Sequence, residues 1–119
     1  MKKFGIIAAM QEEMQEIQKI MDNVKETKIY DLNFIIGEIS NYKVVLVEAG
    51  VGKVNAARTT QILIDNFEVD AIINVGSAAA SNEKLNIGDI VIANKLVQHD
   101  FDITAFGHPK GYISNVGQY

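Results

Sequence analysis

Ile72-Ile73-Asn74-Val75-Gly76-Ser77-Ala78-Ala79-Ala80 is an apolar run that passes directly into a turn of very small residues. The part from Ala71 to Val75 has the length and composition of a buried strand. The small residues after it allow backbone N–H groups and the Ser77 hydroxyl to approach a ligand closely. In an open α/β sheet, ligands bind at the carboxyl ends of strands. A plain tight turn after a buried strand fits the same residues equally well, so the rest of the chain must separate the two interpretations.

Strand and helix patterns interleave around this stretch. Phe4 to Ala8 is a short apolar run that predicts another buried strand. Met10 to Met21 follows with helical spacing, and its apolar stripe comprises Met10, Met14, Ile17, Ile20 and Met21. Lys53 to Phe67 predicts a second helix, with a stripe made of Ala56, Thr60, Leu63, Ile64 and Phe67.

The remaining segments predict a hairpin, a further strand and a loop. Asp31 to Ser40 and Lys43 to Glu48 flank an Asn41-Tyr42 turn, which is typical of an antiparallel hairpin. Ile87 to Val97 predicts a buried strand, and the chain from Gln98 onward predicts polar loop. Strands that alternate with helices predict an α/β fold with a central mixed sheet, part parallel and part antiparallel.

Composition and charge exclude several classes of function. The chain has 119 residues, about one domain's worth, and 48% of them are hydrophobic. Its net charge of −4 argues against a nucleic-acid or anionic-membrane partner, because either would favour a basic face. It has no cysteine, so disulfides and thiolate metal sites are excluded. The N-terminal apolar run is too short for a signal peptide or a membrane span, and we expect a soluble cytoplasmic protein.

Glu13 is the residue whose position on the predicted helix most suggests a catalytic role. Acidic residues favour a helix N-terminus, which accounts for Glu12, whose side chain points away from the apolar stripe. At about 100° per residue, Glu13 falls at the edge of that stripe. A carboxylate beside apolar groups is unfavourable unless it is paired or functional. Burial there predicts a raised pKa, suited to general acid–base catalysis.

Two other patterns resemble known sites and do not meet their requirements. Gly50-Val51-Gly52-Lys53 is similar to part of a P-loop, but valine stands where the first glycine and the final serine or threonine belong. We therefore interpret it as the turn that begins the second helix. His99, Asp100 and Asp102 alternate after a predicted strand and so point to opposite faces. A solvated loop explains these three residues better than a metal site does.

The patterns together resemble the 5′-methylthioadenosine/S-adenosylhomocysteine nucleosidases of the purine nucleoside phosphorylase superfamily. The matching blocks occur in family order along the whole chain. They are Gly5 to Glu13, Ala49 to Ala57, Ile73 to Ala78, Gly88 to Val91 and Asp102 to Gly107. The resemblance implies a phosphorylase/hydrolase-like three-layer fold, of which residues 1–119 form the N-terminal portion of a single domain.

The resemblance also implies an activity and a set of site residues. It implies hydrolysis of an N-glycosidic bond through an oxocarbenium-like transition state, releasing adenine and a thio-substituted ribose, with no cofactor or metal. Glu13 matches the glutamate that activates water. The positions that match the lining of the ribose and nucleophile site are Met10, Val51, Ser77 and Ala78. Ile103 and Phe106 match residues that reach the neighbouring subunit's pocket, which implies a homodimer.

The chain departs from the family pattern in composition and length. The superfamily's phosphorylases have an arginine where this chain has Asn74, so the resemblance favours water over phosphate as the nucleophile. Ala79, Ala80 and Ser114 replace residues that are usually glycine or proline in relatives. Family members continue past residue 119, and their second half supplies the purine contacts and the acid that protonates adenine. We therefore expect the isolated chain to be inactive; another nucleosidase or phosphorylase of the superfamily, or a non-catalytic dimerisation module, stays an alternative.

Overall fold

The computed structural model describes residues 1–117, which divide into two compact units, 1–79 and 80–117. The first unit contains every regular strand and both α-helices. Its elements are β1 (Lys3–Ala8), α1 (Gln11–Lys19), β2 (Asp22–Ile29), β3 (Leu32–Ile39), β4 (Tyr42–Glu48), α2 (Lys53–Phe67) and β5 (Ala71–Val75). The second unit is irregular apart from a 3₁₀ turn, Thr104–Phe106, and an isolated bridge between Ile113 and Gly117.

The first unit is built on a five-stranded mixed sheet in the order β2-β3-β4-β1-β5. β1 lies between β4 and β5 and is parallel to both, with Ile6 opposite Leu46 on one side and Ile73 on the other. β2, β3 and β4 pair antiparallel. The carboxyl ends of the parallel strands β4, β1 and β5 therefore lie along the same side of the sheet. The antiparallel strands β3 and β2 extend the sheet beyond β4.

The sheet is covered on both faces by one helix each. On one face, α2 packs on side chains that alternate with those on the other face, and the cluster comprises Ile7, Leu32, Phe34, Val45, Val47, Ala49, Ile62 and Leu63. On the other face, α1 contributes Met14 to a cluster that also holds Ile6, Ala8, Met21, Ile35, Val44 and Leu46. The predicted three-layer α/β arrangement is thus confirmed in this unit.

Several predicted elements are confirmed, and the helix faces need correction. The α2 bounds, the β3–β4 hairpin and the β1 and β5 strands are as expected, except that the hairpin turn is Ser40-Asn41 and Tyr42 already pairs with Ile39. In α2, however, the fully buried positions are Thr59, Ile62 and Leu63, whereas Ile64 is 47% exposed. In α1, Ile20 is 63% exposed because the helix ends at Lys19. In α2 the buried face is therefore rotated relative to the predicted stripe. In α1 the predicted stripe continues past the end of the helix.

The structure differs from the sequence prediction at two strands. β2 was missed because its sequence, Asp22 to Ile29, is polar and mostly exposed; it is an edge strand that pairs through its backbone with β3. Conversely, Ile87 to Val97 forms no strand in the described residues, and its aliphatic side chains are exposed. β5 forms as expected but is only partly buried, since one of its edges carries no partner strand among residues 1–117.

None of the helices within residues 1–117 combines the length and apolar character that a bilayer span requires.

Candidate active site

The topology of the first unit creates a crevice at the carboxyl ends of its parallel strands. β1 and β4 are adjacent and parallel, and the helices that follow them pack on opposite faces of the sheet. Where successive helices diverge in this way, the loops separate and leave space for a ligand. Three loops meet this edge: 9–10 after β1, 49–52 after β4 and 76–78 after β5.

One oxygen of the Glu13 carboxylate binds the start of its own helix. Oε2 accepts hydrogen bonds from the backbone N–H of Ala9, at 3.0 Å, and of Met10, at 3.2 Å. Met10 is the N-cap of α1, and a glutamate three residues later that reaches back to the N-cap is half of a capping box. A structural role in starting the helix therefore accounts for Oε2 completely.

The other oxygen has a different partner, which helix capping does not explain. Oε1 accepts hydrogen bonds from the backbone N–H of Ser77, at 3.0 Å, and from the Ser77 hydroxyl, at 3.2 Å. These bonds join α1 to the loop after β5, which is 64 residues away in the chain. Glu13 thus links two of the three loops at the carboxyl edge of the sheet.

The hydrogen bonds determine the protonation state of Glu13. The Ser77 backbone N–H lowers the pKa of the Glu13 carboxyl, and the Ala9 N–H, the Ser77 hydroxyl and the Met10 N–H lower it further. The opposing effect of desolvation is smaller than their sum, because the side chain is only half-buried. The expected rise in pKa was therefore wrong, and Glu13 is held as an ionised carboxylate at neutral pH.

The other site residues predicted in the first unit lie in the three loops, and their side chains are exposed. Met10 is 41% exposed and Val51 is 70% exposed, and Ala78 is exposed beside Ser77. Asn55 donates from Nδ2 to the Val51 carbonyl at 2.8 Å, which fixes the loop after β4 to the first turn of α2. Hydrogen bonds bring Met10 and Ser77 to Glu13, whereas no described bond joins Val51 or Ala78 to it.

Ile103 and Phe106 belong to the second unit. Ile103 is half-buried and caps the 3₁₀ turn, and Phe106 is 81% exposed at its end. An exposed aromatic ring in a short turn is consistent with a binding role, but its predicted packing on a neighbouring subunit stays a prediction.

A cavity of about 590 Å³ opens at the end of β4. Its lining includes Gln11, Glu48, Gly50 and Arg58, but neither Glu13 nor Ser77. Arg58, the only arginine in the chain, is paired with Asp31 at 3.1 Å. We place the candidate site at the carboxylate, because its two oxygens accept four hydrogen bonds from the loops that follow β1 and β5.

Comparison with known proteins assigns the family. A model of the phosphorylase superfamily matches residues 3–119, which is almost the whole chain. The chain belongs to the phosphorylase superfamily. Within it, the 5′-methylthioadenosine/S-adenosylhomocysteine nucleosidase of Marinomonas sp. is 40% identical over 116 residues, covering 98% of this chain and 50% of its own.

Solved structures give the same result for the fold. An S-adenosylhomocysteine nucleosidase from Streptococcus pyogenes, in complex with 5-methylthiotubericidin, matches 99% of this chain and 49% of its own, with a TM-score of 0.92 and 41% identity. A futalosine hydrolase mutant from Helicobacter pylori matches 99% of this chain and 52% of its own, with a TM-score of 0.91 and 32% identity. This superfamily chain therefore spans about half the length of the relatives that it matches.

Cation ligands do not cluster in the part of this superfamily member that the structure describes. Residues 1–117 contain no group of three histidine, aspartate or glutamate side chains placed to hold a metal ion. Asp102, considered above as a ligand, instead accepts bonds from the Thr104 N–H and hydroxyl, at 3.0 and 2.8 Å. The Thr104 N–H is the main reason that the pKa of Asp102 is lowered.

Sequence reasoning missed the backbone donors of the site. The helical wheel placed Glu13 correctly at the edge of the stripe, and the exposed positions of Glu12 and Glu16 agree with it. A wheel gives only the direction of a side chain, and the donors of Ala9 and Ser77 are main-chain groups that any residue carries. The small residues after β5 were the available signal, since they leave Ser77 accessible to Glu13.

Proposed function

We propose that the protein carrying this chain hydrolyses the N-glycosidic bond of 5′-methylthioadenosine and S-adenosylhomocysteine. Two chemical classes of relative fit the fold: the nucleosidases, at 32–46% identity, and the futalosine hydrolase, at 32%, the lower end of that range. Glu13 is the proposed general base. Met10, Val51, Ser77 and Ala78 are the proposed contacts on the ribose and nucleophile side.

The observation that carries this proposal is the ionised carboxylate between two loops at the carboxyl edge of the sheet. All four hydrogen bonds of Glu13 come from groups of the first unit, and two come from Ser77. A general base must be unprotonated and held in position before the reaction. The lowered pKa meets the first requirement, and the four bonds meet the second.

The proposed step assigns a role to each group. The bond between the anomeric carbon and the adenine nitrogen breaks, and its electron pair leaves with adenine. A water oxygen forms the new bond to the anomeric carbon, and Glu13 takes the proton that this water releases. Because charge develops on the ribose before water attacks, a weak base is sufficient, and the nearby carboxylate also stabilises the cationic sugar. A hydrogen-bonded carboxylate with a lowered pKa therefore suits the reaction.

Water is favoured over phosphate as the nucleophile by the charges of this chain. A phosphate nucleophile needs cations, ideally a guanidinium that binds two oxygens at once. Asn74, at the end of β5, supplies only a neutral amide. Arg58, on α2, is the only arginine of the chain and is paired with Asp31, which lies between β2 and β3.

The proposal includes an assembly and a location. In a homodimer, Ile103 and Phe106 would reach the neighbouring subunit's pocket and cover the thioalkyl group of the substrate bound there. The exposure of Phe106 supports this role. The absence of cysteine fits a reducing cytoplasm, where the reaction would contribute to methionine salvage.

Adenine release in the presence and absence of phosphate tests this function. The chain is fused to the second half of the Streptococcus pyogenes nucleosidase, and its folding is checked by circular dichroism. We expect the fusion to release adenine from methylthioadenosine at the same rate in either buffer, and the 119-residue chain alone to release none. Dependence on phosphate, with a ribose 1-phosphate product, would establish a phosphorylase. Cleavage of futalosine in preference to both thioethers would assign the other hydrolase class.

A further inference from the structure

Gly76 faces the Glu13 carboxylate across a gap that is tight even for a methyl group. A Cβ atom at this position would lie 3.1 Å from Glu13 Oε1 and 3.4 Å from the carboxyl carbon. These separations are shorter than most contacts that real Cβ atoms make, so the carboxylate would have to shift by a few tenths of an ångström.

The backbone conformation does not explain why this residue is a glycine. The glycines with positive φ are Gly50, Gly52, Gly88, Gly107, Gly111 and Gly117, and Gly76 is not among them. Its φ is not positive, so the left-handed conformation that favours glycine is not the reason. The requirement for glycine at position 76 is therefore one of space, and the space is taken by a carboxylate oxygen.

The oxygen that a methyl group would displace is the one bound to Ser77. Oε1, the nearer oxygen, accepts both Ser77 bonds, at 3.0 and 3.2 Å. Oε2 would lie 3.5 Å from the added Cβ, and it accepts the bonds from Ala9 and Met10. Because the tightest contact falls on Oε1, we expect a methyl group at residue 76 to lengthen the Ser77 bonds most.

We propose that Gly76 is a positioning residue, whose missing side chain lets the Glu13 carboxylate seat on the N–H and hydroxyl of Ser77. This inference rests on the proposed function for its catalytic meaning, because Glu13 is the base in that scheme. Its geometric content is independent of turnover and can be tested in the 119-residue chain.

The first test is a pH titration of Glu13 by carbon NMR. The chain carries ¹³C-labelled glutamate carboxyls, and a Glu13→Gln variant assigns the signal. Because Ser77 is the main cause of the lowered pKa, Gly76→Ala should shift the titration midpoint upward. Ser77→Ala is the matched variant: it removes the hydroxyl and keeps the N–H, so it should give a smaller upward shift. An unchanged midpoint in Gly76→Ala would overturn the proposal.

The second test is a double-mutant cycle by thermal unfolding, which needs no NMR spectrum. Gly76→Ala is made in the natural chain and in a Glu13→Ala background. The expected result is a clear drop in Tm when Glu13 is present and a much smaller drop when it is absent. Equal drops in both backgrounds, or failure to fold in both, would show that the methyl group acts on something other than Glu13. If the double-mutant cycle gives the expected result but the fusion protein releases no adenine, the proposed function is wrong and the role of Gly76 in seating the carboxylate stands.

Discussion

Two short aliphatic runs, Val44 to Val47 in β4 and Ile90 to Ile92 in the second unit, have similar composition and opposite surroundings. In β4 every residue of the run is at most 3% exposed, whereas Ile90, Val91 and Ile92 are 91%, 67% and 90% exposed. β4 has a strand on each side and a helix over each face. Hydrophobicity thus gives a segment the potential to form a buried strand, and the neighbouring strands decide whether it does.

The two runs also differ in how close their partners are in the chain. β4 is joined to β3 by a two-residue connection, so its first partner needs almost no loop closure. Residues 80–117 contain only the isolated bridge from Ile113 to Gly117 and no strand that Ile90 to Ile92 could join. Their apolar side chains therefore stay exposed in the structure.

The largest expected effect is on core packing in the two runs. Leu46 is 0% exposed in the cluster that α1 covers, and Leu46→Ala should destabilise the chain by about 2–5 kcal/mol through lost burial and a residual cavity. The matched variant Ile92→Ala removes a comparable side chain that is 90% exposed, and it should change stability by less than about 0.5 kcal/mol. Urea unfolding followed by circular dichroism measures both. Similar losses would mean that the second run is packed and that the contrast is false.

A smaller effect is expected from the polar group inside the packed region. Thr59 is fully buried on α2, and its hydroxyl has no hydrogen-bond partner within residues 1–117. Thr59→Val replaces the hydroxyl with a methyl group of similar shape, so it should stabilise the chain by roughly 1 kcal/mol. Thr60→Val, at a half-buried neighbouring position, is the control and should be close to neutral. A destabilised Thr59→Val variant would indicate that the hydroxyl is in fact satisfied.

The smallest expected effect concerns the link that Glu13 makes within the first unit. A carboxyl whose pKa is lowered on folding adds stability above its unfolded pKa, and loses it as the pH falls through the folded pKa. Glu13→Gln should therefore lower Tm at pH 7, and the difference from the natural chain should shrink towards zero as the solution becomes acidic. Glu12→Gln, at an exposed position, should show little difference at any pH. A Tm difference for Glu13→Gln that grows on acidification would contradict the lowered pKa.

The sequence was a good guide wherever local pattern and tertiary partners agree. The α2 helix runs from Lys53 to Phe67, the limits that the sequence predicts, and the left-handed Glu68 caps its end. β2 escaped because an edge strand needs backbone pairing and not apolar side chains. At the site, the sequence spacing singles out Glu13 but does not give the direction in which its pKa shifts. The donor that lowers the pKa most is the backbone N–H of Ser77, which only the fold brings near Glu13.

The most direct test of the central claim, that Glu13 is the catalytic base, is the turnover of methylthioadenosine by the fusion protein with Glu13→Gln and with Glu12→Gln. We expect Glu13→Gln to reduce kcat by roughly 100-fold or more, the scale for a lost general base, with folding retained. Glu12→Gln should leave kcat within about twofold of the unsubstituted fusion, because the Glu12 side chain is exposed. Equal losses in the two variants, or full activity in Glu13→Gln, would contradict the assignment of Glu13.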